Sequence, residues 1–115
     1  MDILVIKEKI DNKILRSFLE HPFPDMVKLV VDIDKKKIAL GGEMHADAEE
    51  VLLEEGSAQK DLWGANIYPD ETDEHKIEYS SFINIRPSQN NRSMEVGDSE
   101  IRRKMEDIIR TLIEV

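Results

Sequence analysis

The chain reads as an α+β domain, a largely antiparallel sheet of about five strands with three helices in the order β-α-β-β-α-β-β-α. Three stretches carry that reading. Apolar and polar residues alternate from Met26 to Asp34, and the polar DKKK run at 34–37 turns the chain back into a second apolar run. The stretch HADAEEVLLEEG, residues 45–56, has a helix pattern with both ends marked. After Asp98, the positions Ile101, Met105, Ile108, Ile109, Leu112 and Ile113 recur at helical spacing.

Taken in order, Ile3 to Ile6 is an apolar run that predicts a first strand. Asp11 is placed to cap a first helix, with Ile10 and Leu15 flanking it as a hydrophobic staple. Ile14, Leu15, Phe18 and Leu19 share a face, and the HPFP stretch at 21–24 ends the helix. In the strand from Met26 to Asp34, Val27, Leu29, Val31 and Ile33 lie on one side, with Lys28, Val30 and Asp32 on the other. Lys37 to Leu40 returns as its hairpin partner, and Gly41 and Gly42 end that strand.

In the second helix Asp47 and Glu50 fit a capping box, and Gly56 fits the C-terminal glycine. Leu62 to Tyr68 predicts a strand stopped by Pro69, followed by an acidic loop over residues 69–76. Ile77 to Arg86 alternates throughout and predicts a long strand. Asp98 caps the last helix, whose apolar stripe packs on the sheet with helices covering one of its faces.

The 115 residues predict one compact domain over 1–115. The sequence has no cysteine, which rules out disulfides, thiolate metal sites and a cysteine nucleophile. Asp2 stands where a signal peptide carries basic residues, and no apolar run approaches a membrane span, so a cytoplasmic location is expected. Charged residues make up 36% of the chain, above the roughly 25% of average proteins, a lean towards a heat-adapted or charge-rich host. A net charge of −9 argues against general nucleic-acid binding and against docking on anionic membranes.

Against that acidic background the stretch INIRPSQNNRSMEV stands out. Asn84, Arg86, Ser88, Gln89, Asn90, Asn91, Arg92 and Ser93 bring arginine forks, amides and hydroxyls together, and Tyr79 to Met94 contains neither lysine nor glutamate. Such groups suit a phosphate or carboxylate, and Asn90–Asn91 can take the left-handed backbone angles of an anion-cradling nest. The same residues also serve as turn formers and ion-pair partners, a structural role of equal weight.

A second candidate is GGEMHAD, where Gly41 and Gly42 lead into a helix N-terminus that favours an anion. Glu43 and His45 could serve there as an acid–base pair, His45 only if it faces the arginine loop. The histidine lacks a second histidine at ligand spacing, so no metal site is called for. The acids at 70–74 lack the pattern of a calcium loop. Trp63 is expected in the core, and Gly64 beside it permits close approach by a ligand or another backbone.

Taken together, GGEMHAD, LWGANIYP and INIRPSQNNRSM resemble a family of small uncharacterised prokaryotic proteins, a domain of unknown function. The resemblance runs from about Met26 to the last helix and implies a stand-alone domain without implying an activity, cofactor or partner.

Three functions remain open at this point. In the first, a small anionic ligand is bound by Arg86 and Arg92 with Asn84, Ser88, Asn90, Asn91 and Ser93 as polar partners, and Gly41 and Gly42 form the opposite wall. In the second the same loop is a protein–protein or homo-oligomer interface, since arginine and aromatics anchor interfaces. In the third the same pocket is a small enzyme with His45 or Glu43 as its acid–base group.

Overall fold

The computed structural model describes residues 2–115. Among them, five strands form one antiparallel sheet: β1 (Leu4–Ile6), β2 (Val27–Asp32), β3 (Lys37–Leu40), β4 (Leu62–Ile67) and β5 (Ile77–Glu78). Their order across the sheet is β1-β3-β2-β4-β5. The helices α1 (Asn12–Arg16), α2 (His45–Glu54) and α3 (Ser99–Leu112) fall between strands and at the end as the sequence order predicts.

The central strand β2 is buried on both faces, and this departs from the expectation that helices cover one face. On one face Val27, Leu29 and Val31 pack with Leu15 of α1 and Met105, Ile108, Ile109 and Leu112 of α3. On the other, Val30, Ala39 and Leu62 form a small apolar spot that takes Ala48 and Leu52 of α2. Lys28 and Asp32 flank Val30 on that face and disguise it as solvent-facing in the linear pattern. Asp32 is fully buried yet satisfied: it accepts from Ser57 Oγ at 2.6 Å and from the amides of Asp34 and Lys35 at 2.9 and 2.8 Å. That carboxylate thereby fixes the β2–β3 turn.

Helix ends follow their local chemistry with one correction. Asp11 Oδ1 accepts from the Ile14 amide at 2.9 Å and caps α1, which is shorter than its periodicity suggests and leaves Ile14 exposed. Asp98 Oδ1 accepts from Glu100 and Ile101 and caps α3. Helix α2 instead begins at His45, with Met44 at its N-cap position and no capping side chain. Asp47 therefore lies inside the first turn, where its charge still favours the helix dipole, and the capping box with Glu50 does not form. At the other end Gly56 has φ +102°, and Gly56 and Ser57 donate to Leu53 and Leu52, a Schellman ending.

The largest correction concerns Ile77 to Arg86. Strand β5 covers only Ile77 and Glu78, paired with Ile67 and Asn66 of β4. Beyond it the chain folds into tight 3-10 turns at Phe82–Asn84 and Pro87–Gln89. The cause lies in β4. A Cβ on Gly64 would come within 2.6 Å of Ser81 Cβ, so the bare backbone admits a side chain where a strand would otherwise stand off. Gly64 thus receives the close approach of another segment of the chain.

Candidate functional site

With β5 so short, the outer edge of β4 from Leu62 to Gly64 lacks a partner strand, and unpaired backbone there is costly. Residues 81–97 form a strap that satisfies it through side chains. Asn84, fully buried, accepts from the Gly64 amide at 2.8 Å and donates to the Gly64 carbonyl at 3.0 Å and the Met94 carbonyl at 3.1 Å. Its amide group thus pairs as a strand residue would. Asn91 donates to the carbonyls of Asn84, Ser93 and Glu95, and its side-chain oxygen accepts from Gly97 at 2.9 Å.

Arg86 closes the strap at its other end. Its guanidinium donates to the carbonyls of Ile83 (2.9 Å), Gln59 (2.8 Å) and Leu62 and to the Gln89 side chain, and it stacks 4.3 Å from the centroid of Trp63. Arg86 is 8% exposed, and burial pulls its pKa below the usual guanidinium value while Glu49 opposes the shift. Asn90 takes the left-handed conformation at φ +60°, and Ser93 Oγ donates to Glu95. Four of the sequence candidates, Asn84, Arg86, Asn91 and Ser93, therefore hold the chain together. Ser88, Asn90 and Arg92 face solvent, and Arg92 makes no ion pair or hydrogen bond among the described residues.

The three motifs meet at β4. His45 from GGEMHAD, Gly64 to Asn66 from LWGAN, and Ser81 and Asn84 from the strap are mutual neighbours. The His45 Nε2 hydrogen bonds with the Ala65 carbonyl at 2.8 Å. Burial, the dominant cause, holds its pKa below the usual imidazole value; Lys28 acts the same way, while the Ala65 carbonyl, Asn66 and Glu78 pull upward.

A pH dependence follows. The unfolded chain takes up a proton on this residue at about pH 6.5 whereas the folded chain does so only at lower pH, so stability falls as pH drops below that value. Urea unfolding between about pH 5 and 7.5 is expected to show this slope and His45→Gln to flatten it. A slope unchanged in the variant would assign the proton uptake elsewhere.

A polar row crosses the sheet next to His45. Lys28, Asn66 and Glu78 are cross-strand partners on β2, β4 and β5. Asn66 donates to Glu78 at 2.8 Å, Tyr68 donates to the same oxygen at 3.2 Å, and the Asn66 side-chain oxygen is buried beside His45 with no partner in hydrogen-bond geometry. Lys28 has no carboxylate within 4 Å among the described residues, and its ammonium lies 5.2 Å from the Phe23 ring centroid.

Lys28 also lines a cleft of about 390 Å³ with Phe18, Phe23, Met26, Gly41, Gly42 and the carboxylate-bearing Asp2. This cleft is not the opposite wall of the arginine strap. Gly41 bonds to Lys28, opposite Asn66, whereas Arg86 holds Leu62 and Gln59. Asn66 and Leu62 are four residues apart along β4, which separates the two places by about 13 Å of extended chain. Glu43 is exposed, and among the described residues no three His, Asp or Glu side chains are grouped to hold a metal. No helix among them is long and apolar enough to cross a membrane.

The sequence marks Asn66 only as a polar residue in the strand of Trp63 and Gly64, and it does not mark Lys28 as a site residue. The only local signal is a polar residue at an inner position of each of two apolar strands, and their pairing depends on a register that neither stretch states alone.

A family model described as a protein of unknown function (DUF5674) matches residues 4–112, and the chain belongs to that family. No curated protein and no solved structure matches it.

Proposed function

We propose that this family member binds a small anionic ligand, carrying a phosphate or a carboxylate, in the Gly41–Gly42 cleft, with Lys28 as the cationic contact. The observation that carries this is Lys28 itself: a half-buried lysine, without a carboxylate partner among the described residues, on the wall of a cleft of ligand size. A further feature supports it. Phe18, Phe23 and Met26 offer an apolar wall, which suits an anion with an apolar body better than a bare ion.

The alternative that the strap itself binds the anion rests on Ser88, Asn90 and Arg92, because the polar atoms of Asn84, Arg86 and Asn91 are engaged inside the chain. An enzyme using His45 or Glu43 has less support: His45 is buried against Ala65, and Glu43 lies in solvent without a partner to position it.

Amide-shift titration with inorganic phosphate, pyrophosphate, citrate and benzoate separates these readings. Saturable shifts are expected at Lys28, Gly41 and Gly42, with affinity falling about tenfold or more in Lys28→Ala and unchanged in Arg92→Ala. Shifts confined to the strap and abolished by Arg92→Ala would move the site there. No saturable shift with any of the four probes would overturn anion binding.

A further inference from the structure

We infer that an anion held at Lys28 is bound together with a proton on His45, so that the Gly41–Gly42 cleft binds its ligand more tightly as pH falls. The coupling rests on the cleft taking an anion as proposed above. Its origin is the set of donors and acceptors around the His45 ring.

Asn66 is buried, and its amide nitrogen is committed: it donates to Glu78 Oε1 at 2.8 Å and to the Ser80 carbonyl at 3.3 Å. A carboxylate and a carbonyl only accept, so the amide cannot be reversed, and its oxygen is left beside His45 without a donor. On His45, Nε2 lies 2.8 Å from the Ala65 carbonyl, which also only accepts. Nε2 therefore carries the hydrogen of the neutral ring, and the neutral ring has no second N–H to give. A protonated ring has one, and Asn66 Oδ1 is the buried acceptor beside it that lacks a donor.

Charge decides when that proton arrives. Lys28, the cross-strand partner of Asn66, repels a positive ring from β2, and the dipole of α2 does the same because His45 is its first residue. Glu78 on β5 favours the proton, and Asp47 and Glu49 on α2 carry the same sign as Glu78. Gly64 and Ala65 of β4 and Ser81 of the strap bring no charge, and Lys37 of β3 is tied to Glu55 just beyond the other end of α2. Of these groups Lys28 alone lines the cleft. An anion set against Lys28 cancels its repulsion of the ring, and the second N–H of His45 then goes to Asn66. Linkage requires the converse: protonation of His45 raises the affinity for the anion by the same factor.

Benzoate is the probe, because a carboxylate of ordinary pKa stays largely ionised above about pH 5.5 and offers an apolar body. The imidazole resonances of the full chain, followed from about pH 5 to 8 with and without saturating benzoate, are expected to place the His45 midpoint about 1 pH higher when benzoate is bound. Amide shifts at Lys28, Gly41 and Gly42 are expected to give an affinity about threefold tighter at about pH 5.5 than at about pH 7.5. His21 lines the same cleft, so His21→Gln should keep that difference and His45→Gln should remove it. The midpoint is read on the parent chain and decides the matter even where His45→Gln does not fold.

Binding at Lys28 that leaves the His45 midpoint unmoved overturns the coupling and leaves the anion reading standing. So does a pH difference that survives in folded His45→Gln. No saturable benzoate shift at either pH overturns the coupling and counts against the anion reading as well.

Discussion

Arg86→Ala is expected to lower the free energy of unfolding by about 3 kcal/mol, and Arg92→Ala by less than about 0.5. The two arginines lie six residues apart in the same polar stretch. What separates them is where their N–H groups go. Arg86 satisfies the carbonyls of Gln59, Leu62 and Ile83 at an edge that β5 does not reach, and its removal leaves those acceptors without donors beside a tryptophan that loses its stacked cover. Water entering the vacated space offsets part of that cost, which keeps the figure below the sum of three lost bonds.

Arg86→Lys gives a sharper test. An ammonium keeps the charge but cannot reproduce the planar fork over three carbonyls and a ring, so more than half the loss should remain. Equilibrium urea unfolding of the three variants decides the matter. If Arg86→Ala unfolds at the same urea concentration as the parent, the guanidinium is not a structural tie and becomes available as a ligand group.

The elements whose pattern and ends agree were legible in the sequence. Helix α3 has its apolar stripe and its Asp98 cap, and the β2–β3 turn has its DKKK run, and both stand as expected. The α2 start was displaced because Asp47 has the chemistry of a cap, while the chain turns into the helix at Met44 with no side-chain signal. The strap is hidden in the sequence because Ile77 to Arg86 does alternate. What cancels the strand is Gly64, in a different part of the chain, together with an asparagine amide that substitutes for a strand backbone.

The candidate site was legible to the same extent. A fork that binds a ligand anion and one that binds three backbone carbonyls require the same residue, so Arg86 alone could not reveal its use. The three stretches are legible as letters; that GGEMHAD, LWGAN and INIR meet at Gly64 is a fact of β4 register and of how α2 crosses the sheet.

Asn84→Asp should be among the most damaging near-isosteric changes in the chain, and its cost should depend on pH. At Asn84 one side-chain oxygen meets a donor, the Gly64 amide, while the nitrogen faces two acceptors, the carbonyls of Gly64 and Met94. An ionised carboxylate keeps the first bond and sets an anion against the two carbonyls in a site that excludes water. The loss near pH 7 is expected to be about 3 kcal/mol, and the folded-state pKa of the introduced carboxyl lies above its unfolded value of about 3.9. A raised folded pKa means the folded form holds the proton more tightly, so the penalty is smallest below pH ~4 and grows as pH rises through the folded value. The protonated acid can still donate one bond, which is why the penalty shrinks without vanishing.

Asn84→Ala loses all three bonds and introduces no charge, so its loss relative to the parent should be the same at each pH. Urea unfolding of parent and both variants at about pH 5 and about pH 7.5, compared at equal pH, removes the contribution of His45 common to all three. A deficit for Asn84→Asp that is equal at the two values would mean that the carboxyl does not face those carbonyls, and that the edge of β4 is closed by something other than this amide.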